Sequence, residues 1–200
     1  IRFPKRIIRF FEYTGEFIKY RSQNDKRFSV HFGDAYPCLN DKIKQTPFDQ
    51  HYIYHPAWAA RILAQTKPVE HVDVSSILSF GATLSAFIPV RFYDYRPAAL
   101  NLSNFHSDFA DLKQLPFEND SIDSLSCMHT IEHIGLGRYG DELDTKGDLK
   151  AIEELKRVLK PGGTLLFVTP IGKPRIEMNA HRVYSYEMIK EYFSPLILNE

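Results

Sequence analysis

The chain has 200 residues, enough for one domain with a sizeable core and an appendage. Its 44% hydrophobic and 25% charged residues are typical of a globular protein, and a formal net charge of +0 argues against nucleic acid as a partner. No apolar run approaches the roughly 18–20 residues of a membrane-spanning helix. Cys38 and Cys127 are too far apart for a metal or redox motif, so we predict a cytoplasmic protein with reduced thiols, Cys127 being buried.

Residues 1–28 form a basic and aromatic segment. Because the chain begins at Ile1 rather than Met, we expect it to be a fragment of a longer protein. Apolar residues recur at helical spacing and predict a helix broken near Gly15. We expect this helix to pack on the domain, and contact with a membrane surface or a partner is the alternative. Residues 29–50 are interpreted as an ordered loop, so the whole of 1–50 is predicted to be an N-terminal extension that is helical and then loop.

From residue 51 onward, segments typical of strands and helices alternate. The predicted strands lie within 69–76, 90–95, 97–109, 121–134 and 164–170. The predicted helices lie within 55–68, 82–88, 147–163 and 185–193. Ser185 is expected to cap the last helix, Pro161-Gly162-Gly163 to end the one before it, and the last strand to be buried on both faces. A sixth strand is expected to begin after residue 193. The alternation predicts an α/β fold with a Rossmann-like, mostly parallel sheet between helices, spanning 51–200.

Ligands of such sheets bind at the carboxyl ends of the strands. The residues that follow the predicted strands are Asp73–Ser79, Asp94–Arg96, Asp111, His129–His133 and Thr169–Gly172. Asp94 lies 21 residues beyond Asp73, close to the roughly 20-residue spacing of dinucleotide-binding fingerprints, and is suited to accept both hydroxyls of a ribose. Asp111 is suited to read the edge of an adenine. The sequence thus predicts a nucleoside site at this end of the sheet.

A resemblance to a known family rests on two segments of the chain, DLKQLPFENDSIDSLSCMHTIEHI and LKRVLKPGGTLLFVTP. From about residue 51 the chain resembles class I S-adenosylmethionine-dependent methyltransferases. The segments TPFDQHYIYHPAWAARIL, YDYRP and EHIGLGRYGD are also similar to a smaller family of uncharacterised, methyltransferase-like bacterial and nematode proteins, a domain of unknown function. The resemblance implies S-adenosylmethionine as cofactor and a small molecule or glycan as methyl acceptor, with a role in modifying cell-surface polysaccharide. It also implies a terminal hairpin that these residues lack.

The resemblance assigns roles to individual residues. The cofactor-binding positions are Asp73, Ser75, Ser76, Asp94, Asp111, Leu112 and Met128. Among these, Asp94 corresponds to the acid that binds the ribose and Asp111 to the acid near the adenine amino group. Glu132 stands where substrate-facing residues often lie. A hydroxyl acceptor needs a general base, for which His133 is the first candidate and His129 the second.

The glycine-rich loop 135–141 follows the fourth predicted strand and is expected to cover the pocket as a lid. Arg138 and Tyr139 in this loop are suited to hold an acidic or sugar-like substrate. A tight turn in which Arg138 pairs with Asp141 or Asp144 is the alternative. His181 and Arg182 follow the fifth strand and are expected on the same rim or in solvent.

The departure from the superfamily lies after the first strand, where Gly-x-Gly is replaced by Ser75-Ser76-Ile77-Leu78-Ser79. Glycine there permits positive φ and close approach of the backbone, so its loss predicts weaker binding, another loop shape or no binding. A catalytically inactive scaffold domain is therefore the alternative function. A nicotinamide-dependent oxidoreductase is disfavoured because Gly-x-Gly-x-x-Gly is absent. The candidate ligands for a metal site are His51, His55, His129, Glu132 and His133. Their order is not that of zinc proteases, and no metal site is predicted.

Overall fold

A computed structural model describes residues 3–199. The chain divides into two units, Ile1–Phe48 and Asp49–Glu200. Residues 1 and 2 of the predicted extension, and residue 200 of the expected sixth strand, lie outside the described residues. Within 3–199, no helix is both long and apolar enough to cross a membrane.

The first unit consists of helix α1 (Phe3–Gln23) and a loop that contains a short 3-10 turn, Phe32–Asp34. The predicted break at Gly15 is wrong, because the helix runs through it without interruption. A single glycine inside a helix destabilises it by about 1 kcal/mol, which is too little to end it without a further stop signal. The loop is held to the helix by an edge-to-face contact of Phe17 with Phe32 at 5.4 Å and by a hydrogen bond from Arg9 to Asn40.

The second unit contains the predicted alternation of strands and helices. Its helices are α2 (Gln50–Thr66), α3 (Leu78–Leu84), α4 (Gly147–Val158) and α5 (Tyr186–Tyr192). Its strands are β1 (His71–Val74), β2 (Val90–Asp94), β3 (Phe105–Phe109), β4 (Ile122–Met128), β5 (Leu159–Val168), β6 (Arg175–Glu177) and β7 (His181–Val183). The predicted cap is confirmed, since the side chain of Ser185 accepts a hydrogen bond from the backbone of Met188.

The first five strands form one parallel sheet in the order β3-β2-β1-β4-β5. The chain moves outward from β1 to β3 and then returns to the other side of β1 with β4. The carboxyl ends of β1 and β4 therefore flank the switch in strand order, which is where such sheets bind ligands. The predicted Rossmann-like α/β fold is confirmed.

Alternation of side chains along the strands builds a core on each face of the sheet. On one face, Val72 and Val74 pack with α4, through residues such as Ile152 and Leu155. On the other face, the side chains of the sheet pack with α2 and α3; the residues of this core include Ala59, Leu63, Phe80, Leu84, Phe92 and Met128. Cys127 is buried, as predicted.

Several predicted boundaries are wrong for identifiable reasons. Helix α2 starts at Gln50, five residues early, because Asp49 caps it by accepting hydrogen bonds from two backbone amides. Helix α4 ends at Val158 rather than at the Pro-Gly-Gly turn, because Leu159 already pairs with Ile122 in the sheet. Strand β5 is an edge strand and only partly buried, since no strand within residues 3–199 pairs with its outer side.

The expected sixth strand is also wrong, because residues 193–199 form turns and irregular chain. The structure has instead a short antiparallel hairpin, β6–β7, between β5 and α5. Sequence periodicity gave no signal for strands of three residues.

Candidate functional site

The serine loop after β1 adopts the backbone shape that glycine usually supplies. Ser75 has φ of 58°, in the left-handed region, which costs a non-glycine residue about 1–2 kcal/mol. Two hydrogen bonds hold it there: both its backbone amide (2.8 Å) and its hydroxyl (3.2 Å) donate to the carbonyl of Tyr93. Ser75 therefore adopts, without glycine, a left-handed backbone conformation of the kind that glycine favours.

The same loop is bonded to the end of β4. The hydroxyl of Ser76 accepts a hydrogen bond from the amide of Met128 at 3.1 Å. The hydroxyl of Thr130 donates to the carbonyl of Ser75 at 3.0 Å. These bonds fix the relative positions of the two strand ends at the switch point.

Asp73 supports the loop from beneath, being fully buried. Its carboxylate accepts hydrogen bonds from the amide of Ser76 at 3.0 Å and the hydroxyl of Ser126 at 2.6 Å. Burial raises the pKa of Asp73 to about 6. His71 joins the network, with Nε2 2.9 Å from the Ser126 hydroxyl, and burial lowers its pKa to about 4. Asp73 therefore orders the loop.

Asp94 and Asp111 lie at the ends of the neighbouring strands β2 and β3. One carboxylate oxygen of Asp94 accepts a hydrogen bond from the amide of Arg96 at 2.7 Å. The other makes no hydrogen bond within residues 3–199. Asp111 accepts from the amide of Lys113 at 2.8 Å, and Leu112 beside it is buried in the core. Both acids are partly exposed.

His129 follows β4 directly and forms a pair with Glu132. Its Nδ1 lies 3.1 Å from Oε1 of Glu132, a side chain that is only 1% exposed. A carboxylate at this distance holds the proton on Nδ1, which leaves the Nε2 lone pair free. Nε2 is buried and has no hydrogen-bond partner among the described residues. His129 also has φ of 58°, and backbone strain of this kind is concentrated at functional sites.

His133 is engaged by the protein itself. Its Nδ1 donates a hydrogen bond to the carbonyl of Ala180 at 2.6 Å, and its Nε2 lies 3.9 Å from Glu132. Arg138 Nη1 lies 3.3 Å from the same Nδ1, but two donors do not bond to each other, and Arg138 donates to Ala180 instead. Burial lowers the pKa of His133. Both histidines have Nδ1 engaged, but His129 alone of the two has it within hydrogen-bond distance of a carboxylate, which favours His129 over His133 as a base.

Three residues of helix α2 surround His129. The ring centroids of His51, Tyr52 and His55 lie 5.6, 6.0 and 4.9 Å from that of His129. Both ring nitrogens of His55 are buried without a hydrogen-bond partner among the described residues. Burial, and to a lesser extent the neighbouring ring of His129, lowers the pKa of His55. Within residues 3–199, no three His, Cys, Asp or Glu side chains are arranged to hold a metal ion.

The sequence did not predict that residues of α2 would lie next to the candidate base His129. His51 and His55 are spaced by four residues, which places them on one face of a helix. That spacing was available, but the predicted helix started too late to include His51.

The loop 135–141 is a sharply turned segment. Asp141 accepts hydrogen bonds from the amides of Gly135 at 2.7 Å and Tyr139 at 3.2 Å. Gly135 is required, because it has φ of 77° and a Cβ would lie 2.2 Å from the carbonyl oxygen of Asp144. The alternative pairing of Arg138 with Asp141 or Asp144 is not formed among the described residues.

The loop also reaches the end of β2. The guanidinium of Arg96 lies 4.4 Å from the ring centroid of Tyr139, and that of Arg138 lies 5.1 Å from it. Since β1 separates β2 from β4 in the sheet, this contact passes over the carboxyl end of β1. The loop is thus placed as a cover for the serine loop.

His181 and Arg182 lie on β7. Arg182 is buried, donates to the carbonyl of Ile134 at 2.6 Å, and lies 3.5 Å from the carboxylate of Asp148. It braces the chain between β4 and α4. His181 is partly exposed, with Nε2 3.4 Å from Glu177.

The fold is that of a Rossmann-like domain of the class I methyltransferase type. Residues 79–192 match the family described as "Caenorhabditis protein of unknown function, DUF268", and the chain belongs to this family. The predicted membership of a methyltransferase-like family of unknown function is confirmed. None of the curated proteins compared with the sequence matches it.

Solved structures with low sequence identity share the fold. Phosphoethanolamine N-methyltransferase 2 of Haemonchus contortus, solved with phosphomonomethylethanolamine and S-adenosylhomocysteine, is 18% identical, with a TM-score of 0.51 over 68% of this chain and 36% of that one. The PH0226 protein of Pyrococcus horikoshii OT3 is 16% identical, with a TM-score of 0.50 over 72% and 81%. Burkholderia thailandensis 1,6-didemethyltoxoflavin-N1-methyltransferase, solved with its named substrate and S-adenosylhomocysteine, is 12% identical, with a TM-score of 0.50 over 70% and 65%.

Proposed function

We propose that this protein is an S-adenosylmethionine-dependent methyltransferase that removes a proton from its acceptor. The observation that carries the proposal is the His129–Glu132 pair at the end of β4, with the buried Nε2 of His129 left without a partner. A neutral imidazole held by a carboxylate through Nδ1 is the arrangement of a general base. The pair lies at the switch point of a sheet whose relatives in fold include methyltransferases.

The residues around the switch point suit the cofactor. The partly exposed carboxylate of Asp94 has one oxygen free for a ribose hydroxyl. Asp111, partly exposed after the neighbouring strand β3, is proposed to contact the adenine. The left-handed backbone at Ser75 keeps the chain in the shape that glycine gives related loops, so the absence of glycine does not by itself close the site. Met128 and Ser76 are the remaining cofactor positions that we propose, with Asp73 acting beneath them.

Methyl transfer from S-adenosylmethionine does not require a covalent intermediate with the protein. When bound, S-adenosylmethionine supplies a methyl group: the acceptor atom bonds to the methyl carbon while the carbon–sulfur bond breaks, and the electron pair stays on sulfur. The chain must hold the acceptor in line with that bond and take up its proton. Nε2 of His129 receives the proton, and the negative charge of Glu132 stabilises the imidazolium that results.

His55 has a place in the same step. Its ring centroid lies 4.9 Å from that of His129, and its two nitrogens, like Nε2 of His129, have no hydrogen-bond partner within residues 3–199. Buried polar groups are normally paired, so an unpaired one at a candidate site indicates a group that meets a ligand. We assign His55 to holding the acceptor, with Tyr139 and Arg138 of the loop 135–141 on the outer side.

The acceptor is proposed to be a small molecule or a glycan, with a hydroxyl as the methylated group. The resemblance suggests a role in cell-surface polysaccharide modification. The reduced cysteines suggest a cytoplasmic location. The alternative remains an inactive, methyltransferase-like scaffold, supported by the missing glycines.

Calorimetric titration with S-adenosylmethionine and S-adenosylhomocysteine separates these functions. We expect micromolar binding that Asp94→Ala abolishes. The matched control is Asp123→Ala, an exposed acid near the opposite end of the sheet, which should bind normally. A folded protein that binds neither compound would support the scaffold and contradict the enzyme.

A further inference from the structure

The first unit carries a net positive charge that does not appear in the net charge of the whole chain. Residues 1–48 contain ten Lys and Arg against five Asp and Glu, a net charge of +5, whereas residues 49–200 contain fifteen against twenty, a net charge of −5. The formal total of +0 is therefore the sum of a basic unit and an acidic one. Asymmetry of this kind points to an anionic partner for the basic part.

Helix α1 presents an uncovered apolar strip. Ile7, Phe11 and Ile18 recur at four and seven residues and share one face, with Ile8 beside them. These side chains are exposed, Phe11 by 70% and Ile18 by 63%. Phe17, by contrast, is partly covered by Phe32 of its own unit. The strip is thus the part of the helix that the unit does not use for its own packing.

The charges of α1 are ordered around this strip. At 3.6 residues per turn, Lys19 lies at one border, beside Ile8, and Arg21 lies toward the other border. Glu16 projects from the side opposite the strip and is paired with Lys42, while Glu12 lies beside Lys19. Cations at both borders match a helix that lies in a lipid interface, where long basic side chains reach the headgroups.

We infer that α1 docks on the surface of a bilayer that contains anionic lipids, with the strip of Ile7, Ile8, Phe11 and Ile18 among the acyl chains near the headgroups. Lys19 and Arg21 complement the negative headgroups. Nucleic acid suits the helix less well, because a phosphate backbone gains nothing from four exposed apolar side chains. A second copy suits it less well because both copies carry +5 in this unit.

Sedimentation of the full chain with lipid vesicles tests the inference. Vesicles of phosphatidylcholine alone are compared with vesicles that carry about 30 mol% phosphatidylserine, at low and high salt. We expect binding to the anionic vesicles, at least about tenfold weaker for Phe11→Glu/Ile18→Glu and weakened by salt. Lys19→Glu/Arg21→Glu should also weaken binding.

Two controls keep the result specific. Phe87→Glu alters an equally exposed aromatic residue of the other unit, and Lys44→Glu makes the same kind of charge reversal elsewhere in the first unit. We expect both to weaken binding less than about twofold, with unchanged melting temperatures for all variants.

Four outcomes would overturn the inference. The first two are that the native protein binds neither kind of vesicle, or that Phe11→Glu/Ile18→Glu binds as well as the native protein. The third is a native dimer in ultracentrifugation that becomes monomeric in this variant. The fourth is a clear fall in the melting temperature of the variant, which would show that the strip is buried against this chain. None of them depends on methyl transfer, so the two proposals stand or fall separately.

Discussion

The carboxylate of Glu132 lies 3.1 Å from Nδ1 of His129, and the opposite nitrogen of that imidazole has no partner in the described structure. Glu132 is buried at the end of β4, and its interaction with His129 sets the tautomer of the ring. The neighbouring His133 has the same ring but donates its Nδ1 proton to a backbone carbonyl. Two histidines four residues apart are thus given different roles by the groups they face.

His129→Asn should lower the turnover number by about 10²–10⁴-fold, because it removes the proton acceptor while keeping an amide in its place. The dissociation constant for S-adenosylmethionine, measured by calorimetry, should change little. The matched variant is His133→Asn, which we expect to lower stability more than turnover, since His133 bonds to Ala180. Turnover that falls more in His133→Asn than in His129→Asn would contradict the assignment of the base.

His55→Leu should raise the melting temperature by about 2–4 °C, because it replaces two unpaired polar atoms by apolar ones of similar size. The same change should lower turnover if His55 holds the acceptor. Differential scanning calorimetry and release of S-adenosylhomocysteine measure the two effects. An exposed histidine, changed as His106→Leu, provides the control and should alter neither. A lower melting temperature with normal turnover would make His55 a structural residue.

The alternation of strands and helices and the strand-end position of Asp94, Asp111 and His129 followed from the sequence, because apolar periodicity and strand ends are local features. The pairing of His129 with Glu132 was not predictable in the same way. It depends on the backbone shape of the turn at Ile131–His133, in which Ile131 and Glu132 are buried, and hydrophobic periodicity carries no information on that shape. Likewise, α2 meets His129 through tertiary packing, for which the spacing of His51 and His55 is only a weak signal.

Ser75→Val should destabilise the protein by about 1–3 kcal/mol, because a β-branched residue tolerates positive φ less well than serine and the hydroxyl bond to Tyr93 is lost. Binding of S-adenosylmethionine should weaken with it. Ser79→Val, on the exposed side of α3, is the matched control and should cost less than about 0.5 kcal/mol. Urea unfolding checks both values. Equal effects of the two substitutions would mean that the backbone at Ser75 is not held in the left-handed region.

Asp73 and His71 each make the free energy of unfolding depend on pH, and a substitution of one of them reveals the contribution of the other. The folded pKa of Asp73, about 6, is above its unfolded value, so its contribution to stability is complete below about pH 4 and is lost as the pH rises through 6. The folded pKa of His71, about 4, is below its unfolded value of 6.5, so its contribution grows over nearly the same range. Each contribution is about 3 kcal/mol, and in the native protein the two nearly cancel.

Asp73→Asn removes one of these opposing contributions while keeping the acceptor for the amide of Ser76. The free energy of unfolding of this variant should therefore rise by about 3 kcal/mol between pH 4 and pH 6.5, relative to the native protein. Urea unfolding at several pH values measures the difference, and Glu118→Gln, an exposed acid, is the control without this slope. Parallel pH profiles of Asp73→Asn and the native protein would show that Asp73 is ionised in the fold as readily as in the unfolded chain. Its burial beneath the serine loop would then be relieved by solvent, and the loop would be less rigid than its hydrogen bonds to Tyr93 and Thr130 imply.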